Sequence, residues 1–278
     1  MNSALLWRAG ALCSLVWVTT VLPAWAQSTP RWEAGLGAAL LDIPQYRGAD
    51  RRSQLVLPLP YVVYRGDVIK ADREGARAVF FESRQTEINL SAQLSPPLDS
   101  NDNPARAGMP RLAPTAELGP SMQWRLHAPV GSGVLSLHWP LRAVFTLERQ
   151  TRLVGWQSTP HLQWASASVL PGWRVSAQTG PILASRAYHA YYYDVDATQA
   201  TPDRPAYQAR GGYGGWQVLT AASTRWDQLW FGAFVRAESL QGAIYADSPL
   251  VWQRSAVTAG VAMAWVFARS SESVLVKP

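Results

Sequence analysis

Between Thr86 and Leu94 apolar and polar positions alternate without a break. Thr86, Ile88, Leu90, Ala92 and Leu94 share one face; Glu87, Asn89, Ser91 and Gln93 share the other. A period of two marks a β-strand with unlike faces. From Leu135 to Leu147 the odd positions are all apolar, and the intervening face holds Ser136, His138, Arg142 and Thr146. Ala116, Leu118, Met122, Trp124 and Leu126 oppose Glu117, Ser121, Gln123 and Arg125. Leu229 to Ala237 oppose Arg236 and Glu238, and Val257 to Phe267 form one more apolar row. A soluble sandwich also alternates. The run 135–147 is longer than an ordinary globular strand and suits a tilted membrane strand of about 9–11 residues with its rims. Gly260, Ala262 and Ala264, opposite the last apolar row, would leave a sandwich core poorly filled.

Turn signals cut the chain into twelve such segments, near 31–41, 53–64, 66–71, 76–82, 85–95, 115–127, 134–148, 157–169, 173–184, 211–225, 229–241 and 253–267. Short connections (65–66, 83–84, 128–133, 171–172, 227–228) alternate with long ones (42–52, 95–114, 150–156, 185–210, 242–252), once 66–71 and 76–82 are paired through 72–75. Bacterial barrels place short turns in the periplasm and long loops outside, with an even strand number. The pattern predicts an all-β, antiparallel transmembrane β-barrel of 12 strands, with 10 as the fallback because the third and fourth are short and Pro58 and Pro60 interrupt the second.

Composition sharpens this. Trp occurs 14 times and charged residues make up only 16%. Two interfacial aromatic girdles would use such a supply of indoles. The chain starts with Arg8, an uncharged run from Ala9 to Leu22 and Ala24-Trp25-Ala26, which reads as a secretory signal peptide over 1–26 with cleavage before Gln27. The only cysteine, Cys13, lies in that segment, so no disulfide or thiolate metal site is expected afterwards. The expected layout is a signal at 1–26, a barrel over 27–267 and a tail over 268–278, with export through the periplasm to the outer membrane. The net charge is +6, and Lys70 and Lys277 are the only lysines. Arginine forks suit phosphate, which points to outer-membrane lipid and lipopolysaccharide as partners or to a charged pore lining, while the expected secretion argues against nucleic acid.

Several short segments, in order, carry a family likeness. They are Pro44-Gln45-Tyr46-Arg47-Gly48, Gly108-Met109 with Glu117-Leu118-Gly119-Pro120, Tyr191-Tyr192-Tyr193-Asp194-Val195, and Leu240-Gln241-Gly242-Ala243 with Asp247-Ser248-Pro249-Leu250-Val251. Over about Trp32 to Phe267 the chain resembles the MltA-interacting protein (MipA/OmpV) family of outer-membrane proteins. The resemblance implies a membrane barrel without cofactor or catalytic residues. It also implies a scaffold holding a murein lytic transglycosylase near a peptidoglycan synthase. Porin-like small-solute channel and adhesin are the alternatives, since one fold serves several roles. Such barrels commonly end on the final aromatic; here residues 268–278 follow Phe267.

Candidate chemistry is sparse. His127, His138, His161 and His189 have no metal-ligand spacing. Ser136 and His138 share one face, which leaves a barrel-embedded lipid hydrolase as a minor alternative without a visible third member. Loop 96–104, with Asp99, Asn101, Asp102 and Asn103, lacks the glycine and terminal glutamate of a calcium loop. Gly211 to Gly215 reads as a bend where a loop re-enters the barrel. Tyr188, Tyr191, Tyr192, Tyr193 and Asp194 form a candidate interaction loop or part of the upper girdle. Glu87, Arg125, Arg142, Glu148, Arg174, Arg236 and Glu238 are the candidate lumen charges. If they pair across the lumen the barrel is plugged; if they stand apart, water passes.

Overall fold

The computed structural model describes residues 28–72, 75–96, 103–130, 133–166, 169 and 171–275. Its strands are β1 (Ser28–Pro30), β2 (Trp32–Pro44), β3 (Arg52–Arg65), β4 (Ile69–Asp72), β5 (Gly75–Glu82), β6 (Thr86–Leu94), β7 (Thr115–Val130) and β8 (Gly133–Thr146). There follow β9 (Leu153–Ser158), β10 (His161–Ser166), β11 (Trp173–Ala184), β12 (Gly212–Trp226), β13 (Leu229–Ser239), β14 (Ser255–Arg269) and β15 (Ser273–Leu275). One helix, α1 (Arg186–Tyr193), lies between β11 and β12.

Neighbouring strands pair antiparallel in chain order from β2 to β14, and β14 returns to β2. The pairs β8–β10 and β9–β11 show that β9 and β10 are two halves of one stave, broken at Thr159-Pro160. The result is a closed barrel of twelve staves, in which neighbouring strands satisfy one another's backbone groups; its shortest junction among the described residues is β3–β4, paired at two positions.

Alternation decides which face meets lipid. Val218, Val235, Val257, Val261, Trp139 and Leu141 are all more than 40% exposed and point outward. Residues on the opposite face of the same strands, Gln217, Glu238, Thr258 and Ser136, are buried. Outer tryptophans gather at both ends: Trp32, Trp124, Trp226 and Trp265 near the short turns, and Trp156, Trp216 and Trp252 near the long loops. These are the positions where an amphipathic ring is stable at an interface.

The strand boundaries differ from expectation in a few places, each with a local cause. The eighth stave begins at Leu153, and Pro160 splits it. β3 runs through Pro58 and Pro60 unbroken. Arg65 N–H donates to the Arg31 carbonyl, so odd-numbered residues of β3 turn their N–H toward β2 and even-numbered ones turn away. The two prolines therefore omit donors only on the side away from β2, the place an edge strand tolerates proline. β14 continues past Phe267 to Arg269, and the segment beyond it is not a free tail. Ser273–Leu275 pairs with Ser28–Pro30 in a separate ribbon, and Arg31 bridges Glu272 at 2.8 Å. The proposed signal segment 1–26 lies outside the described residues.

Candidate functional site: the filled lumen and its lid

The inward faces of β5 to β8 build one polar wall. Glu87 is its hub. Arg77 Nε donates to its Oε1 at 2.9 Å, Lys70 Nζ to Oε2 at 3.2 Å, and Asn89 Nδ2 to Oε1 at 2.8 Å. Higher up, Arg142 donates to Ser91 Oγ and Gln93 Oε1, both at 3.0 Å, and stands 3.8 Å from Glu117. Gln157 Nε2 donates to Glu117 at 2.5 Å. Near the short-turn end Glu33 holds both Arg65, at 3.0 Å, and Arg225. Near the long loops Arg47 pairs with Glu238 at 3.0 Å. Glu33, Glu87, Asn89, Ser91, Ser121, Ser136, Gln157, Gln217, Ser223 and Glu238 are each at most 9% exposed. A wide water-filled channel would leave such side chains wet, so this wall packs its side of the lumen with paired charge.

The expected lumen charges divide. Glu87, Arg142 and Glu238 sit in these networks. Arg236 also points inward, two residues before Glu238, and its buried Nε has no hydrogen-bond partner. Arg125 is half-buried at the short-turn rim, beside Arg84. Arg174 is exposed near the start of β11. Glu148 is not in the lumen: it lies beyond the end of β8, exposed, and pairs with Arg152 at 3.4 Å. The apolar alternation runs on to Leu147, but the ladder stops at Thr146, where the chain turns. Glu33, Arg47, Lys70, Arg77 and Glu117 complete the networks. Glu117 was visible as an inward position; Lys70 and Arg77 lie in a hairpin too short for periodicity to place.

The other wall, from β13, β14, β2 and β3, is apolar or small. Transverse rows of paired inward residues read Leu55–Leu41–Gly260–Phe234, Leu57–Ala39–Ala262–Gly232 and Leu59–Gly37–Ala264–Trp230. A side chain at Gly260 would meet Phe234 at 2.5 Å and Leu41 at 2.6 Å, so these two side chains lie over the glycine. The Tyr61 and Trp230 rings meet at 5.6 Å. β3 is thus apolar on both faces. The alternation rule misses this, and the unbroken apolar run from Leu55 to Leu59 is its only trace in the sequence.

The long loops fold into a lid. Ser185 caps α1 by accepting from Tyr188 N–H at 3.2 Å, which turns the tyrosine-rich run helical where a loop was expected. Tyr193 stacks on Tyr245 at 3.8 Å and 11°. Tyr46 O–H donates to the Leu250 carbonyl at 2.8 Å, Tyr193 O–H to Arg47 O at 2.9 Å, and Tyr245 O–H to Gly214 O at 2.8 Å. Arg204 Nη1 reaches the Ala105 and Ala107 carbonyls at 3.0 and 2.9 Å. The candidate loop is therefore packed inward. Tyr193 is buried, Tyr188, Tyr191 and Tyr192 are partly buried, and Asp194 accepts from Ala209 N–H at 2.6 Å. Burial pushes the Tyr46 and Tyr192 phenols up to about 12. Burial holds His189 below its usual range, although its ring bonds the Arg210 carbonyl at 2.8 Å. Gly212 and Gly215, both at positive φ, make the bend into β12, opposite a register shift at Ile182/Leu183.

Ser136 Oγ lies 2.9 Å from His138 Nε2, and His138 stacks on His161 at 5.0 Å. No carboxylate bonds His138 among the described residues, so the pair lacks the third group that orients a catalytic base. Among the described residues no three His, Cys, Asp or Glu stand close enough to hold a metal ion. Asp99, Asn101 and Asp102 lie outside the described residues; Asn103 instead caps the 3-10 turn Pro104–Arg106 and bonds Gln45.

The family described as MltA-interacting protein MipA matches residues 36–267, nearly the whole barrel. The chain belongs to the MipA family. No curated protein matches it. Among solved structures it is similar to the CymD monoaromatic hydrocarbon channel, with 11% identity, a TM-score of 0.37 and coverage of 87% of this chain and 90% of that one. It is also similar to OccK10 (OpdN) of Pseudomonas aeruginosa, with 12% identity, a TM-score of 0.23 and coverage of 85% and 99%.

Proposed function

We propose that this MipA-family barrel works in the outer membrane as an interaction scaffold for peptidoglycan remodelling, and not as an open channel. The observation that carries the reading is the lumen, closed by Glu87, Glu117, Glu238 and their arginines and roofed by the tyrosine lid. The family description adds an MltA-type transglycosylase as the partner class, with a peptidoglycan synthase as a further candidate. Such partners would dock on the short-turn end, which faces the periplasm in bacterial barrels. That end carries a recess of about 620 Å³ lined by Ser83, Arg84, Gln85, Arg125 and Leu126. Lipopolysaccharide would surround the outer leaflet side.

Two measurements test this. Refolded protein in planar bilayers should give no sustained conductance; steady open steps would favour the channel reading. An immobilised MltA-type transglycosylase should retain the refolded barrel, and the double change Arg84→Glu, Arg125→Glu should weaken retention at least about tenfold, the loss expected when one or two interfacial charges turn repulsive. Equal retention of both forms would remove the recess from the interface.

A further inference from the structure

Among the described residues one junction of the barrel wall forms a seam. β14 and β2 pair over ten positions and β2 and β3 over thirteen, but β3 and β4 pair only at Tyr64–Ala71 and Arg65–Lys70. Among the described residues nothing pairs with β3 above Tyr64 on that side. The even-numbered residues 54–62 of β3 turn their backbone groups into this seam, and Pro58 and Pro60 remove two of the donors. An unpaired backbone group in hydrocarbon costs several kcal/mol, so the prolines lower the penalty of leaving the seam open.

The seam adjoins the apolar wall. Leu55, Leu57 and Leu59 on β3 and Trp230 and Phe234 on β13 stand as two ridges. Between them the floor is Gly37, Ala39 and Ala262, all small, and at its upper end Leu41 and Phe234 cover Gly260. The three leucines remain partly exposed, unlike the buried polar wall opposite. The groove ends below at Tyr61–Trp230. Above it stand Arg47, Arg236 and Glu238, with Glu117 facing Arg236 from the polar wall; Arg47 holds Glu238 at 3.0 Å, Arg142 stands 3.8 Å from Glu117, and the buried Arg236 Nε has no hydrogen-bond partner.

We propose that the groove is a binding site for a fatty acid from the bilayer, whose chain enters through the β3–β4 seam and whose carboxylate meets Arg236. A narrow apolar trough suits one alkyl chain, and a guanidinium whose buried Nε lacks a hydrogen-bond partner suits one carboxylate. The site is independent of the scaffold reading, because the lid and polar wall still block passage across the membrane.

The test uses the full-length chain with Cys13→Ser, refolded into phosphatidylcholine vesicles, with a bimane fluorophore on Leu57→Cys (inward) or Val56→Cys (outward). The quencher is stearic acid bearing a nitroxide on its chain. At Leu57 quenching should saturate and be reversed by unlabelled stearic acid; at Val56 it should grow linearly with the acid dissolved in the bilayer. The methyl ester should quench Leu57 at least about tenfold more weakly, and Arg236→Gln should abolish that preference while leaving heat-modifiable gel mobility intact. Absent or linear quenching at Leu57 overturns the site, and equal acid and ester overturns the role of Arg236. Nitroxide phosphatidylcholine, which stays in the bilayer, reports the seam. It should quench Leu57 more than a label on Ala262→Cys, in the same transverse row but fully paired, and equal quenching overturns lateral entry.

Discussion

Glu87 and Leu57 both point into the lumen from opposite walls. Glu87 is 5% exposed and held by three side chains, whereas Leu57 is partly exposed and lies over alanine and glycine neighbours. The polar wall needs strict pairing because an ion in a closed lumen has lost its water, and only opposite charge and donors replace it. The apolar wall has no such demand. Its side chains can remain partly exposed, and among the described residues β3 pairs with β4 at only two positions. Closure and openness are thus assigned to different staves of one barrel.

The largest effect should come from breaking the polar wall. Glu87→Ala removes the buried anion that Lys70 and Arg77 share and leaves them only the more exposed Glu82 and Asp72, so the loss should fall at the low end of the about 3–5 kcal/mol for breaking a buried pair. Leu57→Ala opposite should cost only about 1 kcal/mol, below the range for a fully buried leucine. Urea unfolding from vesicles measures both, and equal losses would erase the distinction between the walls. A step smaller, the outer belt should treat both halves alike. Leu141→Arg behind the polar wall and Val261→Arg behind the apolar wall should each cost about 2–4 kcal/mol on insertion near mid-bilayer. A marked difference between them would mean that the two halves do not sit at the same depth in lipid.

How much of this was legible depended on whether a residue's partner was implied by its own strand. The outward rows of β6, β8, β13 and β14 could be read directly, since lipid imposes one requirement on every other residue. The register of Glu87, Arg142 and Glu238 followed from them. What each inward charge meets lies two or three strands away, so Arg77 with Glu87, and Glu33 with Arg65, required the closed sheet. β3 escaped because its two faces are both apolar and alternation carries no sign there. The lid escaped for a different reason. Its core joins Tyr46, Tyr193 and Tyr245 from three loops, and Ser185 supplies a helix cap ahead of a tyrosine-rich run with no apolar period of its own.

The lid offers a pH test of intermediate size. His189 is buried and neutral, with its titration pushed below the ordinary 6.5 by burial. As pH falls through 6.5 the opened lid takes up a proton before the closed one. The closed form therefore loses stability from about that pH downward, until His189 itself is protonated. Protease nicking within residues 194–211 should rise over that window, while the barrel's folded gel band persists. His189→Gln should flatten the dependence. A flat profile in the native chain would mean that another group governs the lid.

The smallest effect should come from the terminal ribbon. Ser28–Pro30 and Ser273–Leu275 pair outside the barrel, and their bridge from Arg31 to Glu272 is largely solvent-exposed. Screening leaves such a pair little influence on folding. Barrel closure depends instead on the ten β14–β2 positions, which run from Ala259–Asp42 to Arg269–Glu33. Removing residues 271–278 leaves all ten in place, so the truncated chain should keep its folded band and its urea midpoint. Phe267→Glu is the counterpart within β14. It puts a charge on the lipid face beside Trp265, whose ring lies 5.4 Å away, and should deplete the folded band. If truncation were the more damaging change, closure would rest on the ribbon. The β14–β2 ladder would then be as weak a junction as β3–β4, and the barrel would have two seams.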